Sequence, residues 1–175
     1  MGVQKHLIPI VLLLFFLLVA REIYPYVEPL NSEVEDGFVI EKIDSGYGGP
    51  TCLEWADNTS LLMCDRDSGQ ILLLDAEDGF NSIALLSGLN HPHDVHLTTD
   101  HLFVSEEGKL SRYNRSNFSF TDPVVLIDGI PSGNHQTNAI NSFPNGTLIW
   151  HSGSTCNVCV QGDERNAALL WVDPV

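Results

Sequence analysis

The sequence predicts an all-β chain that forms part of a β-propeller, and three observations predict it. From Phe38 onward the chain is a succession of short β-type runs with no helical stripe: FVIEKI, TCLEW, SLLMCD, QILLLD, SIALL, DVHL, HLFVSE, LSRYN, VVLID, NAINSF, TLIWHS and AALLWVD. These runs repeat. Leu53, Val95 and Ile140 align at offsets of 42 and 45 residues, and each opens a series of strand, turn, strand, turn, strand. Turn residues separate the strands, as in Asp67-Ser68-Gly69, Glu107-Gly108 and Pro144-Asn145-Gly146. A strand-rich unit recurring every ~40–50 residues is the mark of a propeller blade.

Taken in order, the first element is Leu7–Ala20, a run of 14 residues without a charge that follows Lys5 and His6. A membrane span needs about 20 apolar residues, and a shorter run suits the core of a signal peptide. Residues 1–21 therefore predict an N-terminal hydrophobic helix serving as a signal peptide. Leu18 spoils the small-residue pattern before Ala20, which leaves a retained signal-anchor as the alternative. Either reading implies export to a periplasmic or extracellular space, with residues 7–20 as the only membrane-contacting segment. Residues 22–37 contain Pro25, Pro29 and several acids without apolar periodicity, and read as a linker. The rest, 38–175, reads as a partial propeller with blades at about 38–78, 79–120 and 121–175. Closure takes about four to eight blades, so three imply a fragment or a half-propeller that needs a partner.

Charge removes one class of partner. The chain has 23 Asp and Glu against 8 Lys and Arg, a net charge of -15. Binding to nucleic acid needs clustered cations, so no such partner is expected. Asp65, Asp67 and the acids of residues 75–78 read as solvated turn residues, and no segment has the D-x-D-x-D-G spacing of a calcium loop. Cys52 and Cys64 flank a hairpin, while Cys156 and Cys159 form a CxxC. Without paired-knuckle spacing for zinc, these read as two local disulfides or buried thiols, and no metal site is expected from them. N-x-S/T sequons occur at Asn58, Asn114, Asn117 and Asn145, which matter where the host glycosylates.

Because the repeats are in register, the loops before the inner strands occupy equivalent places. They are Gly48-Gly49-Pro50-Thr51, Asn90-His91-Pro92-His93-Asp94 and Asn134-His135-Gln136-Thr137-Asn138. Polar groups there converge on one mouth, where His135 can act as a base and Gln136, Thr137, Asn138, His93 and Asp94 can bind substrate or cofactor. For His91 and His93 a second reading stands beside this one: they bond the loop backbones.

The stretch LIDGIPSGNHQTNAINSFPNGTLIWHSGSTCNVC (126–159), followed by AALLWVDP, resembles the soluble glucose and sorbosone dehydrogenases. Those are six-bladed propellers that use pyrroloquinoline quinone and calcium. GGPTCLEWADNTSLLMCDRDSGQILLLD and LNHPHDVHLTTDHLFVSEEGKLSRY resemble their first two blades, so the resemblance spans about residues 38–175 and implies three of six blades. It implies that His135 is the catalytic base, that Gln136 lines the same cavity, and that a small sugar or aldehyde passes a hydride to the quinone and then to an electron acceptor. The groups that bind quinone and Ca2+ would lie mostly beyond Val175, so the chain alone is expected to be inactive. Two departures bear on substrate choice. Ser154 stands where glucose-type members have an aspartate, and His91 or His93 stands where they have a glutamine. Two other readings are a non-catalytic extracellular propeller that binds a partner through its acidic surface, and a metal-dependent propeller hydrolase built on the histidines.

Overall fold

A computed structural model of the chain describes residues 34–173. The hydrophobic helix expected over 1–21, and most of the linker expected over 22–37, lie outside the described residues. Among those residues no helix is long and apolar enough to cross a membrane. Residues 34–42 belong to a separate unit, in which Phe38 N donates to Glu35 O at 3.1 Å. The run FVIEKI forms no strand, although it has the β-type composition that predicted one.

Among the described residues eleven strands follow, in three antiparallel sheets. Sheet one takes β1 (Pro50–Trp55), β2 (Ser60–Asp65), β3 (Gln70–Asp75) and β4 (Asn81–Leu86), with a 3-10 turn at Ala76–Asp78 between the last two. Sheet two takes β5 (Asp94–Leu97), β6 (His101–Glu106), β7 (Lys109–Ser116) and β8 (Ser119–Ile127). Sheet three takes β9 (Ala139–Ser142), β10 (Leu148–Ser152) and β11 (Ala168–Val172). Neighbours in sequence pair throughout, which short turns favour. SIALL falls in β4 beside β3, and VVLID falls in β8 beside β7. Each four-stranded sheet is thus completed by the strand that follows its third, and divisions at residues 78 and 120 would cut through the first two sheets.

Alternation along the strands decides how the sheets stack. On β6, Leu102 and Val104 face sheet one and join Cys52, Leu62, Cys64, Ile71, Val95 and Phe120. Phe103, between them, faces the other way and joins Leu110, Ile130, Ile140, Leu148, Trp150 and Val172. Sheet two is therefore covered on both faces. Leu102, Leu110, Leu148 and Trp150 are fully buried, each leucine contributing about 1.5–3 kcal/mol by transfer from water. The Trp150 indole N–H is satisfied within this core by Ser105 Oγ at 2.7 Å.

The first strands of the sheets run side by side in one direction. Thr51 Oγ1 donates to Pro92 O at 2.9 Å where β1 and β5 begin, and Leu97 N donates to Glu54 Oε1 at 3.4 Å near their far ends. Between β5 and β9, Ile140 N donates to Asp94 Oδ2 at 2.7 Å, and His96 Nε2 lies 2.8 Å from Ser142 Oγ. All three first strands consequently start at the same end of the stack. Two carboxylates hold the loops there: Asp65 Oδ1 accepts from Gly49 N at 2.8 Å, and Glu106 Oε2 accepts from Asn90 N at 2.6 Å. Asp65 is buried, not in a solvated turn, because this backbone N–H needs it.

Disulfides join Cys52 to Cys64 and Cys156 to Cys159. Cys52 and Cys64 face each other across β1 and β2 inside the first core cluster. A cross-link spanning 12 residues limits the unfolded chain, so the double variant Cys52→Ala/Cys64→Ala should unfold at lower urea, with a loss of about 3 kcal/mol. Denaturant titration followed by tryptophan fluorescence measures it.

Candidate functional site

At the end where the first strands begin, two adjoining cavities open. One, of about 430 Å3, is lined by Thr51 of β1, His93 and Asp94 at the head of β5, Thr137, Asn138 and Ala139 at the head of β9, and His151 of β10. The other, of about 380 Å3, is lined by His135, Thr137, Ser154, Asn157 and the disulfide-bonded Cys156, again with His151. Thr137 and His151 belong to both. Neither lining contains Lys, Arg or Glu, and Asp94 supplies the sole carboxylate.

The second cavity exists because two backbone segments touch. Ser154 N donates to His135 O at 3.1 Å in an isolated bridge, and Asn134 N donates to Thr155 O at 3.3 Å. A Cβ on Gly133 would overlap Thr155 O, and one on Gly153 would overlap His135 O. The glycines of GNHQTN and GSTCNVC are therefore what allow the two motifs to lie against each other. Polar side chains then lock the arrangement. Asn138 Nδ2 donates to Glu106 O at 2.9 Å and its Oδ1 accepts from Gly153 N at 2.8 Å. Asn166 Nδ2 reaches Pro131 O at 2.9 Å, and Arg165 ties the loop of residues 153–167 to Asp128 O and Gly129 O at 3.2 and 3.1 Å.

This geometry separates the residues that the sequence grouped. His135 and Thr137 are exposed and line the cavity wall. Gln136 is buried, donates to Pro131 O at 3.1 Å, and lines neither cavity. Alternation explains this, since neighbours in an extended segment point to opposite sides. Asn138 reaches the larger cavity but spends both ends of its amide on backbone. His93 lies in that cavity's wall, whereas His91 is exposed with Nδ1 3.6 Å from Glu107 Oε2. Ser154 Oγ donates to Cys156 O at 3.0 Å, so this position supports its own loop and gives His135 no carboxylate.

His151 escaped the sequence reading because it sits within a strand and not in a loop. The signal was present in the alternation of TLIWHS: Trp150 enters the core, so its neighbour must face away from it. The cysteines of GSTCNVC hold the loop beside the cavity, and among the described residues no group of three or more His, Cys, Asp or Glu is arranged to hold a metal ion.

Burial sets the charge state of the larger cavity. Desolvation lowers the His93 pKa, helped by Arg66 and His91 and opposed by the Glu107 carboxylate. Nε2 of His93 is buried without a hydrogen bond, with Glu107 Oε1 4.0 Å away. Desolvation raises the Asp94 pKa, against hydrogen bonds from Ile140 N and Val95 N. For His93 the folded protein binds fewer protons than the unfolded chain just below the ordinary histidine pKa. The His93 contribution to stability therefore falls as pH drops from about 6.5 towards the lowered folded value, whereas Asp94, with its pKa raised, contributes in the opposite sense at lower pH. Urea midpoints measured from pH 7.5 to 5 should show this fall, and His93→Gln should flatten it.

No family profile matches this sequence, and no curated protein sequence does. Solved structures do match. The holo PQQ domain of pyranose dehydrogenase from Coprinopsis cinerea aligns over 72% of this chain and 33% of its own, with 17% identity and a TM-score of 0.63. The PQQ-bound form of aldose sugar dehydrogenase from Streptomyces coelicolor aligns over 78% of this chain and 48% of its own, with 20% identity and a TM-score of 0.59. The chain thus spans a third of the one and about half of the other. Their PQQ, pyrroloquinoline quinone, is the cofactor that the GNHQTN and GSTCNVC resemblance implies. In fold, then, the described residues form three sheets of a β-propeller, resembling part of these two solved structures.

Proposed function

We propose that this chain contributes the base-bearing portion of an exported, quinone-dependent sugar or aldehyde dehydrogenase. The observation that carries this reading is the placement of His135 in a cavity at the shared mouth of the three first strands, in a fold common to two PQQ-bound sugar dehydrogenases. Thr137 and Asn157 beside it are hydroxyl and amide groups of the kind that orient a polyol. In oxidation of a C–OH carbon, the His135 imidazole takes the hydroxyl proton while the carbon gives up a hydride. Acceptance of that hydride is the chemistry a bound quinone supplies.

The described residues fit one part of the cofactor's needs. Neutral groups in the walls, Thr137 and Asn157 among them, and the buried Nε2 of His93, which has no hydrogen bond, suit a ligand rich in carbonyl and hydroxyl oxygen. The three carboxylates of pyrroloquinoline quinone need cations, which neither cavity wall contains. In this reading the cations, and the oxygen ligands for Ca2+, come from other blades of the propeller. Ser154 in place of an acid makes His135 a base without carboxylate support, which favours substrates with acidic hydroxyls such as aldehyde hydrates and anomeric sugars.

The complete open reading frame, reconstituted with pyrroloquinoline quinone and Ca2+, should reduce a dye with aldoses or aldehydes as donors. His135→Ala should lower kcat by about 100- to 10,000-fold with the fold intact by circular dichroism. Unchanged turnover in that variant overturns the assignment of the base, and absence of any quinone binding overturns the function.

A further inference from the structure

The four sequons occupy one end of the sheet stack. Asn58 lies in the β1–β2 turn, Asn117 in the β7–β8 turn and Asn145 in the β9–β10 turn, while Asn114 is in the last half of β7. In antiparallel sheets whose first strands start together at the cavity mouth, each of these positions falls at the opposite end. All four asparagines are exposed. The other end is not poor in asparagine. Asn90, Asn134, Asn138, Asn157 and Asn166 all lie there, and none is followed two residues later by Ser or Thr. Acceptor motifs are thus confined to the end away from the cavities.

We propose that Asn58, Asn114, Asn117 and Asn145 are acceptors of N-linked glycans, and that they sheathe the end of the propeller opposite the His135 mouth in sugar. The local geometry suits attachment. Three of the four lie in or beside hairpin turns, where a bulky branched polar group projects into water without displacing a core side chain. Asn145 is exposed, and its Oδ1 accepts from Thr147 N at 3.2 Å within its own turn. Asn114 and Asn117 sit three residues apart across one turn, so the two glycans crowd each other and one site is filled less than its neighbour. Glycans at this end leave Thr51, His93, His135 and His151 open to substrate and electron acceptor, and they shield exposed turn backbone from proteases.

The proposal rests on export through a compartment that holds an oligosaccharyltransferase, and not on the quinone chemistry. Its test is therefore separate from that of the dehydrogenase. The full chain with its own N-terminus, expressed in a eukaryotic secretory host, is treated with peptide-N-glycosidase in 18O-water and mapped by peptide mass spectrometry. The expected result is 18O-labelled Asp at Asn58 and Asn145 and at one or both of Asn114 and Asn117. Asn58→Gln and Asn145→Gln should each remove one step from the gel mobility ladder, and Thr147→Ala should reproduce Asn145→Gln while leaving that asparagine in place. Chain recovered from cells or medium without label at these positions overturns the proposal, as does labelling confined to a single site.

Discussion

Sheet two is apolar on both faces, and the rest of the architecture depends on how that is relieved. In β6, HLFVSE leaves no side free for water: Leu102 and Val104 go to one cluster and Phe103 to the other. A strand of this kind must be sandwiched, so sheets one and three are drawn onto it from opposite sides. That stacking brings β1, β5 and β9 together as neighbours. The exposed Leu53, Trp55, Leu169 and Trp171 belong to the outer sheets of the described stack, and on the outer face of sheet one Tyr47 and Phe80 cover only Met63, Leu72 and Leu74.

Once the first strands are adjacent, short polar links set their register. Asp94 accepts from Ile140 N, Thr51 donates to Pro92 O, and His96 meets Ser142, so the heads of the three strands end level with one another. The two cavities open at that end because the loops there come from three separate sheets and border a common space. The same links put tight hairpin turns at the other end, where there is little to bind and much exposed backbone.

Within the site, the largest structural demand falls on backbone. GNHQTN and GSTCNVC approach so closely that only glycine fits at 133 and 153, and Asn138 bridges the two segments with both ends of its amide. Residues in these motifs therefore divide into those that hold the loop and those that face the cavity. Gln136, Asn138 and Ser154 hold it; His135 and Thr137 face outward. Larger barriers to reading this in advance were burial and direction. Nothing local distinguishes Gln136 from Thr137 until the segment is extended and one side of it meets Pro131. His93 and His91, two residues apart, differ for a related reason: one is walled in by the cavity and the other stands beside Glu107 in solvent.

What the amino-acid sequence determined by itself was the class of structure: strands, turns, their repeat and the equivalence of the three loops. These follow from period-two burial and turn chemistry, which act over a few residues and are written in order along the chain. FVIEKI shows the limit, having the composition of a strand without forming one. Which strand completed each sheet, which of the polar loop residues lined the cavities, and that His151 joined them were decided only in three dimensions. Completion of a sheet joins strands across a turn, as Leu110 meets Ile127, and stacking of the sheets joins Asp94 to Ile140, 46 positions away, and no local pattern carries either choice.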